Sequence, residues 1–217
     1  MSNIINSIKL DYYILKSNFK IILIVVFLAT FIGIMTSNPP IIMFIISIYS
    51  ANFMGSIFSI CEKNKLNKLY GVLPLEKQQV VIGRYLFTLA FGVLNGVMAV
   101  VLTLIITHFR NINISNIAFI SYLSGSVLLF FLFISMQFPL YFKYEYSKIT
   151  ASAILPPVFL FIIGVTLFKK NAEFFSPMIK YFIQNQNMIW LIGICAGLII
   201  LCISCLLSCS IYKNREL

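Results

Sequence analysis

Charge is what this 217-residue chain has least of. Acidic and basic residues make up 10% of it, against about 25% in a soluble globular domain. So small a polar allowance cannot cover a water-facing surface. With 60% hydrophobic residues and a mean hydropathy of +0.98, the bilayer is the expected solvent. The groups that enzymes use are as sparse. The one histidine, His108, stands at the end of an apolar run, where a lone imidazole reads as a satisfied polar residue. No paired carboxylates lie within a span, and H-E-x-x-H, G-x-S-x-G and G-x-x-x-x-G-K-[ST] are all missing. The chain therefore has no P-loop of its own for ATP. It offers no acid–base pair or nucleophile constellation for an intramembrane enzyme, and it is expected to bind neither cofactor nor metal.

Positive charge is in excess, with 16 Lys and Arg against 6 acidic residues. On a soluble protein a net +10 would suggest nucleic acid. Here the cations flank apolar runs and no aromatic–basic motif accompanies them, so topology explains them better. The first apolar run starts near Ile21 without a cleavage site, so an uncleaved first span is expected. The expected fold is an all-α membrane protein, one domain over residues 1–217. It has an N-terminal interfacial amphipathic helix at about 3–20 and six spans at about 21–36, 41–60, 80–107, 117–142, 149–168 and 188–211. On the interfacial helix Ile4, Ile5, Ile8, Tyr12, Leu15 and Phe19 share one face, beside a stripe of Lys9, Lys16 and Lys20. Ser37-Asn38-Pro39-Pro40 reads as a turn, and Pro156-Pro157 predicts a kink in the fifth span.

Orientation follows from Lys and Arg. With both termini inside, twelve of the sixteen fall on one side and Arg110, Lys169, Lys170 and Lys180 on the other. Arg84 is counted with the inner rim, so the spans are read as free of ionisable groups, which argues against a proton-coupled carrier. Of the five cysteines, Cys195, Cys202, Cys205 and Cys209 share a broad face of the sixth span and read as packing residues. Gly193, Gly197, Ser204 and Ser208 gather on another face. Gly193-x-x-x-Gly197, and Gly92-x-x-x-Gly96 with Asn95 beside it, allow close helix approach and are candidate packing or path residues.

The conspicuous polar stretch is Glu62 to Gln79, EKNKLNKLYGVLPLEKQQ. Within and after it, Leu73-Pro74-Leu75, Lys77, Val80-Val81 and Gly83-Arg84-Tyr85 match the pattern that follows the second span in ABC-2-type transporter permeases. Glu76 replaces that pattern's usual Ser or Thr. Pro139-Leu140-Tyr141-Phe142-Lys143-Tyr144-Glu145 with Lys148 resembles the family's second cytoplasmic loop.

The resemblance implies the membrane-spanning permease subunit of an ATP-driven exporter. Separate P-loop ATPase subunits would carry ATP and Mg, and the permease would pair as a homodimer or with a second permease, in a bacterial cell membrane. It implies a coupling helix between spans 2 and 3. Lys65, Leu66, Lys68, Leu69, Tyr70, Leu73, Pro74, Leu75, Glu76 and Lys77 are the coupling residues, and Lys143, Glu145 and Lys148 the second loop. Apolar anchors ringed by charge suit a docking element. The subgroup is similar to bacterial permeases of peptide export or self-protection, including exporters of phenol-soluble modulins. The expected substrate is accordingly amphipathic or lipophilic, with antimicrobial or cytolytic peptides in view. The rival reading is a passive pore or membrane scaffold without an ATPase partner.

Overall fold

The computed structural model describes residues 2–36, 38–66, 76–171 and 186–214. Among them every regular element is an α-helix: α1 Ser2–Lys16, α2 Phe19–Met35, α3 Ile41–Lys63, α4 Lys77–Phe109, α5 Asn116–Lys143, α6 Tyr146–Lys170 and α7 Gln186–Lys213. Long continuous apolar runs that must satisfy their own backbone groups in lipid do so as helices.

The ends carry local signals. Ser115 caps α5 by accepting from the Ala118 N–H at 3.3 Å. Pro40 precedes α3, where a missing N–H costs nothing. Lys65 and Asn111, just past the ends of α3 and α4, have φ of 52° and 53°, the left-handed exit that closes many helices. Asn tolerates it readily, whereas Lys adopts it at a cost of about 1–2 kcal/mol. Pro156 and Pro157 lie inside α6, which continues through them to Lys170.

Five of these helices are long and apolar enough to cross a membrane, and α1–α2 makes a sixth if this pair, bent by 68°, counts as one span. The 17 residues of α2 reach only ~25 Å of a core about 30 Å thick. In contrast, the 33 residues of α4 extend ~50 Å, so its first turns can stand clear of hydrocarbon.

The amphipathic face expected on α1 is only partly the one it buries. Leu15 is buried, but so are Ser7 and Asp11, while Ile5 and Tyr12 point outward with Lys9 and Lys16. Phe19 lies beyond the bend, stacks on Phe91 and meets Phe53 at a tilt. The helix is rotated so that its carboxylate faces the bundle.

The core centres on α5, which packs against α3, α6 and, most extensively, α7. The small face of α7 makes that contact. Gly193 faces Ser124 and Leu128, and Gly197 lies directly under Phe131. The partner these glycines admit is thus in the same chain. Cys195 and Cys202 face outward and Cys205 and Cys209 are half-buried. Gly92 of α4 lies against Phe130 of α5, whereas Gly96 has open space before it. Along α2 and α6 large apolar side chains such as Leu23, Phe27, Phe159 and Leu160 are exposed, as lipid-facing helices require.

This packing separates the glycines. Gly197→Val, forced into Phe131, is expected to destabilise the protein by about 1–3 kcal/mol. Gly96→Ala should leave stability unchanged. Thermal unfolding in detergent micelles reads both, and equal melting temperatures for the two variants would contradict the α5–α7 contact.

Candidate functional site

The lysine-rich end of the bundle gathers the end of α3, the start of α4, the ends of α5 and α7, the start of α6 and the whole of α1. Three consecutive residues of α4 tie them together. Gly83 comes first. A Cβ there would stand 2.7 Å from Ser7 Oγ and 3.4 Å from the Ile4 carbonyl, so glycine is what lets α1 lie against α4.

Arg84 comes next and is 4% exposed. Its Nε donates to Asp11 Oδ2 at 3.3 Å and its Nη2 to Asp11 Oδ1 at 3.2 Å. This is a fork-to-fork pair with a carboxylate that is 1% exposed. Nη2 also reaches Cys61 Sγ at 3.7 Å. The guanidinium lies 4.5 Å from the ring centre of Phe58 on α3 and 5.7 Å from that of Phe142 on α5, so cation–π attraction adds to the ion pair. Tyr85 completes the node. Its hydroxyl lies 2.7 Å from Ser204 Oγ and 2.9 Å from Ser208 Oγ on α7, and Ser204 donates to the Ser135 carbonyl on α5 at 2.7 Å. Phe138 meets the Tyr85 ring edge-on at 5.1 Å.

The reading of Arg84 as one more cation of the inner rim is therefore corrected. It is a buried charge held by protein, and α1 turns Asp11 inward because a buried guanidinium needs a carboxylate. Sequence reasoning passed over Asp11. The available signal was that it is the chain's one aspartate, four residues from both Ser7 and Leu15 on a helix otherwise charged by lysine.

The polar loop begins and ends at this node. Leu66 is half-buried against the core and Lys65 is exposed. Lys68, Leu69, Tyr70, Leu73, Pro74 and Leu75 lie outside the described residues, and with them the expected coupling helix. Glu76 occupies the N-cap position of α4 without a side-chain cap bond. The two flanks are anchored to different helices. At the end of α3, Glu62 accepts from the Ser147 backbone N–H at 3.1 Å and from the Ser147 hydroxyl, at the positive end of α6. At the start of α4, Lys77 Nζ donates to the Lys213 carbonyl at 3.4 Å, at the negative end of α7. On the second loop Lys148 pairs with Glu145 at 2.7 Å, both exposed, and Lys143 lies 5.1 Å from the Tyr144 ring centre. Asn95 donates to the Phe91 carbonyl of its own helix at 2.9 Å. Among the described residues no three metal-ligating side chains come together.

A family model described as ABC-2 family transporter protein matches residues 7–213, from Ser7 beside Gly83 to Lys213 beside Lys77. The chain belongs to the ABC-2 transporter family. No curated protein and no solved structure matches it. In this ABC-2 chain the run Gly83-Arg84-Tyr85 acquires a physical meaning, since Gly83 and Arg84 join α4 to α1, Arg84 also to α3 and α5, and Tyr85 to α7.

The ion pair sets an expectation. Arg84→Met removes the cation from a buried carboxylate and should cost about 3–5 kcal/mol. Adding Asp11→Asn should recover at least half of that, read by thermal unfolding of the four members of a double-mutant cycle. Strictly additive losses would show that the two groups do not interact. Tyr85→Phe, which takes the tyrosine hydroxyl away from Ser204 and Ser208, should cost about 1–3 kcal/mol on the same assay.

Proposed function

We propose that this chain is the membrane-spanning permease subunit of an ATP-driven exporter, lacking its own ATPase, and that the 62–79 loop is where separate P-loop ATP-binding subunits engage it. The observation that carries the reading is the anchoring of that loop. One flank is bonded to α6 and the other to α7, and two turns further Arg84 and Tyr85 reach α1, α3, α5 and α7. A displacement imposed on such a loop moves several helices together, because packed interfaces shift as units rather than deform. ATP and Mg would be held by the partner, with Leu69, Tyr70, Leu73 and Leu75 as apolar anchors and Lys65, Lys68, Glu76 and Lys77 at the rim.

Two permeases, identical or not, would pair in a bacterial cell membrane with both termini cytoplasmic. The substrate is amphipathic or lipophilic, with antimicrobial or cytolytic peptides as the leading class. The resemblance to bacterial permeases of peptide export supports this.

The test is a tagged purification from gently solubilised membranes, comparing wild type with the Leu69→Asp, Leu73→Asp double variant. A P-loop ATPase, identified by mass, should co-purify with wild type. It should fall at least tenfold, a loss of about 1.4 kcal/mol or more, with a variant whose own melting temperature is unchanged. If crosslinked wild-type membranes yield no ATPase, the coupling reading fails and a passive pore or scaffold takes its place.

A further inference from the structure

Away from the Arg84 node, toward the opposite membrane face, α3, α4 and α5 enclose an elongated groove of about 380 Å³. Met43 and Ile46 of α3, Gly96 and Ala99 of α4, and Ser126 and Phe130 of α5 are among its walls, and no charged residue lines it. It exists because small residues face one another there. Gly96 has nothing within 4 Å of the position a Cβ would take, and the Ser126 hydroxyl is turned back onto the Leu123 carbonyl at 2.8 Å. Val93, Val97 and Val101 line the groove and are also 65%, 59% and 47% exposed. The groove is thus open sideways, along the stripe that α4 shows to the bilayer.

We infer that this groove is a binding site for a single hydrocarbon chain, the acyl chain of a membrane phospholipid. Its dimensions decide the occupant. The lining of α4 from Leu89 to Val101 spans roughly 18 Å of helix axis. Even the whole empty space of the groove, about 1040 Å³, is less than the roughly 1,700 Å³ that a helix 11 Å across takes up over that length, whereas one extended polymethylene chain fits. A second copy of this chain therefore cannot seat a helix in it. The uncharged walls exclude a headgroup. The opening faces hydrocarbon, so entry costs no desolvation of polar groups. The inference needs only the membrane-spanning fold and is independent of any ATPase.

The experiment uses the purified full chain in phosphatidylcholine vesicles doped with a phosphatidylcholine that carries a diazirine at mid-acyl chain. After illumination, adducts are mapped by mass spectrometry. Adducts are expected on the groove walls at Ser47, Val100 or Val127, which are partly accessible, besides those on the outward Leu23 and Phe27. Gly96→Phe, and Gly96→Leu as a smaller plug, should lower wall adducts at least fivefold while leaving those on α2 unchanged. Gly164→Phe, at another open glycine, should leave both unchanged. Adducts confined to outward residues in wild type, or wall adducts undiminished by both Gly96 plugs, would overturn the assignment.

Discussion

A guanidinium buried at the lysine-rich end of the bundle is the constraint to which the rest of the structure answers. Removing such a charge from water costs several kcal/mol even after relaxation, so the surrounding helices must return that energy together. Asp11 supplies the counter-charge, Phe58 and Phe142 supply ring faces, and Cys61 supplies a weak acceptor. None of these lies on α4. The helix that carries Arg84 is thereby obliged to meet α1, α3 and α5 at one point, and Tyr85 adds α7 a residue later. The orientation of α1 and the glycine at position 83 follow from the same demand.

The two ends of the protein contrast. Near Arg84 the helices are welded by polar and aromatic contacts, and both flanks of the polar loop are bonded to helices distant in sequence. Toward the other face, small residues on α3, α4 and α5 leave a groove between the helices. The distribution of Arg84 and Tyr85 against Gly92, Gly96 and Ala99 divides the bundle into a cross-linked end and a more loosely filled one.

Much of this was legible in the sequence. Low charge and long apolar runs set the helical membrane fold, the turn residues punctuated it, and Gly83-Arg84-Tyr85 pointed to the ABC-2 family that the match over residues 7–213 establishes. The small face of α7 was visible as Gly193, Gly197, Ser204 and Ser208, although its partner was not, because glycine spacing marks close approach and not what approaches. The harder inferences depend on pairings across 73 and 85 residues, Asp11 with Arg84 and Glu62 with Ser147. Helical periodicity reports the hydrophobic face of one helix at a time. It grouped Ile5 and Tyr12 with Leu15 on the apolar face of an interfacial α1, and it could not register that Asp11 turns another face of the helix toward Arg84.

If Arg84 is the common anchor, its loss should be felt at several helix ends at once. The most direct measurement is amide hydrogen exchange, followed by mass spectrometry, of wild type and Arg84→Met in the same vesicles. The account predicts faster exchange together in α1, in the first turns of α4 and in the last turns of α5 and α7, with α2 unchanged. Faster exchange confined to α1 would contradict it, and would reduce the ion pair to a local tether for the N-terminal helix.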